Sequence, residues 1–283
     1  MHAIVYNFHS LKEIYNDIID NLINQDYKDG WFKVIIVWSF VSNNDFENIS
    51  NLLQKKSDIQ NIEIVLTSNI SFAKSRNLGI FYSTNSTDPL KYLTLVEDDH
   101  YIYLDSLKQL EAIMDKYWGK TINNTLKIGM FTTCFQHTNA ELTKIDNNIY
   151  IPSLYDSPDH IGGINSCFRS APIYQFLNIV GEYALDEYPI SYYQTASQNI
   201  KNYNKGYTVM FYDTQKIINH KDSDIKENSF GAQTVGVRFN THYTKSHLEF
   251  LKNNKIELSS KVSFENIVKI MLEKLLKKIK FKK

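Results

Sequence analysis

The predicted fold is organised around the stretch Leu93-Thr94-Leu95-Val96-Glu97-Asp98-Asp99-His100. Its first four residues are aliphatic or β-branched, which is typical of a strand that is buried on both faces. Three carboxylates follow directly, and burying three like charges is costly unless a cation neutralises them. We therefore expect them in a cleft at the end of the strand, beside a divalent cation such as Mg²⁺ or Mn²⁺. A polar loop leaving a strand is the alternative interpretation.

The residues before this stretch alternate between strand and helix patterns. Strands are predicted over 3–6, 32–38 and 62–66, and helices over 10–24 and 45–55. The first strand is expected to break at Tyr6-Asn7, and the first helix to begin at a Ser10 cap. This order predicts parallel strands with right-handed crossovers, which is an α/β sandwich. Ligands lie beyond the carboxyl ends of such strands, where Asn7, Ser39 and the acidic residues are expected to meet.

A further helix is predicted between the third and fourth strands, with Ser71 as its cap. Glycine costs about 1 kcal/mol relative to alanine inside a helix, so Gly79 predicts a close approach to a strand or a ligand. Arg76 and Asn77 emerge on a different side from the apolar face. An arginine beside an acidic cleft is suited to gripping a diphosphate through two parallel hydrogen bonds. A solvent-exposed Arg76 on an amphipathic helix is the alternative.

The composition predicts a globular protein. The chain has 283 residues, of which 43% are hydrophobic, so a full core can form. Lysine and arginine together number 31, as do aspartate and glutamate, which gives no argument for a nucleic-acid partner. Cys134 and Cys167 have no metal-ligand spacing and are predicted to be reduced thiols. The chain shows neither a signal-peptide pattern nor an apolar run of transmembrane length, so a cytoplasmic location is expected.

Four segments resemble motifs of the inverting family-2 nucleotide-sugar glycosyltransferases, in the same order and at similar spacing. They are Tyr6-Asn7 with a helix that closes in Asn24-Gln25-Asp26-Tyr27, the Ala-x-x-Arg-Asn-x-Gly segment at 73–79, the acidic element at 97–99, and the segment from Gly206 to His220. The similarity covers roughly residues 3–220. It implies a GT-A fold, a Rossmann-like α/β domain that is expected to occupy residues 1–240.

The resemblance also implies roles for individual residues. Asp99 is the expected metal ligand and His220 a further ligand, although a structural histidine is the alternative for His220. Glu97 and Asp98 are expected to face the ribose or the metal-bound phosphate. The remaining residues expected at the donor site are Tyr6, Asn7, Ser39, Arg76 and Asn77.

The chain departs from the family pattern at the base-binding position. After the second strand the family usually has two aspartates, one of which reads the base, whereas this chain has Trp38-Ser39. Ser39 can still donate a hydrogen bond to a base, and Trp38 could stack on it. The identity of the donor therefore stays open.

A second departure concerns the general base, which in the family belongs to a Glu-Asp pair before the Gly-Tyr strand. An ungapped count back from Gly206 places Gln194-Thr195 there. The nearest acidic pair is Asp186-Glu187, and we predict Asp186 as the base with Glu187 as second choice. Two surface acids that cap a helix are the alternative.

The C-terminal residues 241–283 are predicted to form a helical extension with a basic amphipathic tail. Residues 261–283 contain eight lysines and two glutamates, opposite an apolar face. Such a helix suits an anionic membrane surface, and packing on the domain or in a homodimer is the alternative.

The predicted function is metal-dependent, inverting transfer of a sugar from a nucleoside diphosphate to a glycan or lipid-linked acceptor. The protein is expected to lie in the cytoplasm, bound peripherally to the inner face of the membrane. Two alternatives stay open: a catalytically silent sugar-nucleotide-binding subunit, and a nucleotidyltransferase. The latter is expected to carry a glycine-rich, lysine-containing N-terminal loop, which this sequence does not have.

Overall fold

The structure is a computed structural model that describes residues 1–25, 31–56, 62–68, 70, 72–85, 89–122, 125–132, 142–152, 168–181, 201–212 and 218–220. The predicted base pair Asp186-Glu187 and the C-terminal extension lie outside the described residues. The boundary predicted near residue 240 lies outside them as well.

The described elements alternate as predicted in the first part of the chain. The strands are β1 (His2–His9), β2 (Phe32–Phe40), β3 (Ile62–Ser68), β4 (Tyr92–Val96), β5 (His100–Ile102), β6 (Thr121–Ile122), β7 (Leu126–Thr132), β8 (Leu142–Asp146), β9 (Ile149–Pro152), β10 (Phe168–Pro172), β11 (Tyr207–Tyr212) and β12 (Ile218–His220). The helices are α1 (Glu13–Ile23), α2 (Asn43–Gln54), α3 (Phe72–Thr84) and α4 (Leu104–Tyr117), and a π-helical turn spans Gln175–Val180. None of these helices is long and apolar enough to cross a membrane.

One large mixed sheet forms the centre of the described fold. Its strand order is β3-β2-β1-β4-β10-β7-β11-β9-β8, with β6 paired to β7. Strands β1 to β4 are parallel, and β10 enters antiparallel to β4. The order reverses at β1, because β1 is followed by β2 on one side and pairs with β4 on the other. The carboxyl ends of β1 and β4 thus form the topological switch point, where open α/β sheets bind their ligands.

Alternation along β1 and β4 assigns the site residues to two faces of the sheet. Tyr6 and Phe8 pack with the buried face of α1, whereas Val5, Leu93 and Leu95 belong to the core on the α3 side. By the same alternation, Asn7 and Glu97 lie on the α3 side.

The ends predicted for the first three strands were wrong, and all three strands are longer. Strand β1 continues through Tyr6-Asn7 to His9, because it stays paired with β2 up to Ser39. Strand β2 continues to Phe40, which pairs with Ser68 of β3. Trp38 and Ser39 therefore lie within β2 rather than after it.

The predicted Ser10 cap was also wrong. Ser10 has a left-handed φ of 54°, and its backbone N–H donates to the Ser39 carbonyl at 2.8 Å. Helix α1 begins only at Glu13, and its N-cap residue, Lys12, makes no capping bond with its side chain. Because β1 continues to His9 and Ser10 takes the left-handed conformation that follows it, the helix begins three residues later than predicted.

The close approach predicted at Gly79 is confirmed. A Cβ atom on Gly79 would overlap Cγ1 of Val5 and lie 3.4 Å from Cγ2 of Val37. The absence of a side chain at this position lets α3 lie directly on β1 and β2, which sets the height of Arg76 above the sheet.

Candidate functional site

The carboxyl ends of β1 and β4 bring three predicted site residues together. Tyr6 is paired with Val96, so Asn7 and Glu97 follow from neighbouring strands. Asn7 is buried, and its Nδ2 donates to Ser75 Oγ of α3 at 2.5 Å. Its Oδ1 is buried without a hydrogen-bond partner among the described residues, which leaves an acceptor available at the site.

Arg76 follows Ser75 and is only 4% exposed, so the alternative of a solvent-exposed arginine is wrong. Its positive charge interacts electrostatically with Glu97, whose side chain is partly buried. Burial raises the pKa of Glu97, while the Arg76 charge lowers it and the Asp99 charge raises it again. Asn77 is also partly buried on α3. Arg76 and Glu97 therefore interact across the end of β4, and a donor site shared by Arg76 and the acidic residues stays a prediction.

Asp98 is held by two residues that the sequence analysis did not single out. Lys12 Nζ lies 2.5 Å from Asp98 Oδ2, and the hydroxyl of Tyr15 donates to the same oxygen. Burial raises the pKa of Tyr15 well above its usual value of 10, so Tyr15 remains a donor at neutral pH. The sequence did contain an indication of this contact. Lys12 and Tyr15 are three residues apart and follow β1, the strand that ends at the site.

Asp99 pairs with the residue that follows it. Its Oδ1 lies 2.5 Å from His100 Nδ1, and the side chain of Asp99 is 21% exposed while that of His100 is buried. The His100 carbonyl accepts a 3.0 Å hydrogen bond from the hydroxyl of Tyr6, which is fully buried. Tyr6 thus fixes the backbone at His100, the residue that directly follows the acidic turn.

The expectation that Trp38 could stack on a base is wrong. The indole is fully buried, donates from Nε1 to the Ser10 carbonyl at 2.6 Å, and packs edge-on against Phe8. Ser39 is buried as well, and its Oγ accepts from the backbone N–H of Ile70 at 3.2 Å. A contact between Ser39 and a base stays a prediction.

Strand pairing brings the backbone of His220 close to that of Asp99, the other predicted metal ligand. Strand β12 pairs with β5, which places His220 opposite His100, one residue after Asp99. The side chain of His220 is outside the description. The described residues contain no group of three or more His, Cys, Asp or Glu that could hold a metal ion. Since Mg²⁺ sites often use one or two carboxylates and complete the shell with substrate phosphates, Asp99 in its acidic turn fits that kind of site.

A second buried arginine was missed. Arg169 on β10 is 3% exposed and pairs with Leu95, so it lies on the same face as Leu95 and Glu97. Diagonal neighbours in an antiparallel pair lie about 7–8 Å apart, within reach of a long side chain. The sequence indicated this residue, because Arg169 is the one charged residue within the strand Phe168–Pro172, and a charged residue is rarely buried without a partner.

Solved structures share this architecture. The S. aureus TarS structure with UDP-GlcNAc superposes with a TM-score of 0.52 at 12% identity, over 80% of this chain and 59% of that one. The mannosyltransferase PcManGT from Pyrobaculum calidifontis, with GDP-Man and Mn²⁺, gives 0.53 at 10%, over 89% and 64%. The Mycobacterium tuberculosis glucosyl-3-phosphoglycerate synthase, with Mn²⁺, UDP and phosphoglyceric acid, gives 0.50 at 10%, over 92% and 80%.

No family model matches the sequence, and no curated protein matches it. The chain spans 59% of the TarS chain and 64% of the mannosyltransferase chain. At these identities the likeness concerns the fold. The mixed sheet flanked by helices, with the acidic turn at its switch point, is the GT-A fold that the four motifs predicted.

Proposed function

We propose that this chain transfers a sugar from a nucleoside-diphosphate sugar to an acceptor hydroxyl. The observation that carries the proposal is the convergence of Asn7, Arg76 and the turn Glu97-Asp98-Asp99 at the switch point of a GT-A sheet. Open α/β sheets bind ligands at this place, and the structures that share the fold contain UDP-GlcNAc, GDP-Man or UDP.

The donor diphosphate would lie between α3 and the acidic turn. Arg76 supplies a guanidinium suited to phosphate oxygens, and Asn77 lies beside it on α3. The buried Oδ1 of Asn7, which has no hydrogen-bond partner among the described residues, would accept a hydrogen bond from a donor hydroxyl. Tyr6 donates to the His100 carbonyl, just after the acidic turn, and Ser39 accepts from the backbone N–H of Ile70, just before α3.

Asp99, with His220 as a further ligand, would hold an Mg²⁺ or Mn²⁺ ion. When bound, such an ion offsets the charge that develops on the leaving nucleoside diphosphate. The carboxylate is a hard oxygen ligand, which both ions prefer, and two of the structures with this fold contain Mn²⁺.

The transfer is proposed to invert the anomeric centre. Asp186, or Glu187 beside it, would take the proton of the acceptor hydroxyl as its oxygen attacks opposite the diphosphate. A glycan or lipid-linked molecule is the proposed acceptor, as the family-2 resemblance implies. A cytoplasmic enzyme held at the inner face of the membrane by the basic tail 261–283 would meet a lipid-linked acceptor there.

The test is to incubate the protein with a panel of nucleotide sugars and Mn²⁺ and to measure the released nucleoside diphosphate. Slow hydrolysis of one donor is expected from the wild type and not from Asp99→Asn. Lys116→Met, on the exposed surface of α4, is the matched control and should hydrolyse the donor normally. Donor binding without release would favour a silent sugar-nucleotide-binding subunit, and no binding of any donor would contradict the proposal.

A further inference from the structure

Asp98 differs from the other two carboxylates of the acidic turn in how it is held. Both of its donors, Lys12 Nζ and the Tyr15 hydroxyl, bind Oδ2. No residue that the structure describes donates to Oδ1. The side chain remains 25% exposed, and Oδ1 is its oxygen without a donor among the described residues.

The Tyr15 side of this arrangement is rigid. The Tyr15 ring stacks on Phe8 with centroids 4.0 Å apart and an interplanar angle of 2°, and it meets Trp38 edge-on at 5.5 Å. Its hydroxyl oxygen also accepts from the backbone N–H of His9 at 3.1 Å. The hydroxyl has two acceptors, the His9 carbonyl at 3.2 Å and the closer Asp98 Oδ2. Because a hydrogen bond to a charged acceptor is the stronger one, the hydrogen favours Asp98.

The Lys12 side adds charge compensation. The ammonium lies 2.5 Å from Asp98 Oδ2 and 5.3 Å from the centroid of the Tyr15 ring. Lys12 and Asp98 are about equally exposed, at 24% and 25%. A carboxylate whose charge is already offset by an ammonium attracts a further cation less, yet still accepts a hydrogen bond from a neutral hydroxyl.

We propose that Lys12 and Tyr15 are positioning residues that act through Asp98, aiming its Oδ1 at a ribose hydroxyl of the donor nucleotide. This inference rests on the proposed function, since it concerns the same donor site. The family resemblance already implies that Asp98 faces the ribose or the metal-bound phosphate. The new element is that Lys12 and Tyr15 set the orientation of its carboxylate.

The chain contains a matched cluster that serves as a control. Lys116 Nζ lies 2.9 Å from Asp146 Oδ2, and the hydroxyl of Tyr117 donates to the same oxygen. The residue types and the shared acceptor atom are the same. Lys116 and Asp146 lie on α4 and at the end of β8, away from the switch point, and are 57% and 39% exposed.

The test compares the affinities for a ribonucleoside diphosphate and its 2′-deoxy and 3′-deoxy analogues by calorimetry, using the base that binds best. The wild type should bind the ribonucleotide about tenfold or more tightly than one of the deoxy forms, as expected for a hydrogen bond to a charged group. Lys12→Met and Tyr15→Phe should bring this ratio close to one while changing the affinity for that deoxy form little. Lys12→Arg should restore most of the preference, whereas Lys116→Met and Tyr117→Phe should leave it unchanged.

Two outcomes would overturn the inference while leaving the proposed function intact. One is a wild-type protein that binds ribo and deoxy forms equally, and the other is an unchanged ratio in both Lys12→Met and Tyr15→Phe. Tyr15→Phe removes only the hydroxyl, so it carries the test if Lys12→Met fails to fold. A wild type that binds no nucleoside diphosphate would instead contradict the proposed function itself.

Discussion

Arg76 of α3 interacts electrostatically with Glu97, the first residue after β4, and opposes the effect of burial on that carboxyl. Burial raises the pKa of Glu97 above 4.5, its ordinary value, and the Arg76 charge lowers it without cancelling the rise. A carboxyl whose pKa is raised on folding binds its proton more tightly in the folded chain. The ionised form of Glu97 therefore costs stability.

We expect this cost to appear in the pH dependence of the free energy of unfolding. It is absent below the unfolded pKa, near 4.5, and fully present above the raised folded pKa, so wild-type stability should fall relative to Glu97→Gln as the pH rises through that window. One pKa unit corresponds to about 1.4 kcal/mol. Urea denaturation of both proteins between about pH 4 and about pH 8 measures the difference. A constant difference across this range would contradict the prediction.

Gly79→Ala should destabilise the protein although alanine is the better helix former. The gain of about 1 kcal/mol in helix propensity is opposed by the overlap of the new Cβ with Val5 Cγ1, and overpacking a core costs about 1–3 kcal/mol. Chemical denaturation should show a lower midpoint for Gly79→Ala. In a double-mutant cycle, Val5→Ala should remove part of the penalty, because it removes the atom that is overlapped. Additive effects would show that the contact with Val5 is not the cause.

The alternation of strands and helices and the acidic turn could be predicted because each depends on a local pattern. The partners of Asp98 could not, because Lys12 lies 86 residues away and reaches it only when β1 and β4 are neighbours in the sheet. Tyr15 fits the apolar face of α1, and this pattern gives no indication of a partner for its hydroxyl.

The burial of Trp38 illustrates the same limit. A strand end depends on its partners as much as on its own residues, and β2 runs on to Phe40 because β3 continues beside it to Ser68. The family pattern placed Trp38-Ser39 in the loop after the strand, where a base could be reached. Two further paired residues put the indole in the core instead.

Asp99→Asn should abolish the metal dependence of nucleoside-diphosphate binding while the fold remains. The change removes a hard oxygen ligand and its charge but keeps the shape of the side chain. Calorimetry with Mn²⁺ present and absent should show a loss of at least about tenfold in the metal-dependent affinity. Arg76→Lys should reduce affinity less, because it keeps the charge and loses the paired hydrogen bonds. Unchanged affinity of Asp99→Asn with Mn²⁺ would exclude Asp99 as the ligand.

Deleting residues 261–283 should release the protein from anionic vesicles. Lysines near an anionic surface contribute about 1 kcal/mol each within a Debye length, so added salt should reproduce part of the effect. Sedimentation with anionic vesicles measures binding, and neutral vesicles are the control. If the full-length and truncated proteins sediment equally, the tail packs on protein. A difference in oligomeric state between the two would then indicate a homodimer, and no difference would indicate packing on the domain.

The identity of the general base gives the last prediction. An inverting transfer needs one carboxylate that is ionised near neutral pH, and an acid at the start of a helix is favoured by the helix dipole. Asp186 and Glu187 precede Pro189, and proline is well tolerated in the first turn of a helix. Asp186→Asn should therefore lower kcat by about two to four orders of magnitude while the affinity for the donor is retained, since the amide keeps the shape and removes the proton acceptor.

Glu187→Gln is the paired variant, and the true base is the one whose amide loses turnover but not donor binding. Normal turnover by both variants would move the base elsewhere, with Asp156 and Asp159 the next acids to test by the same comparison.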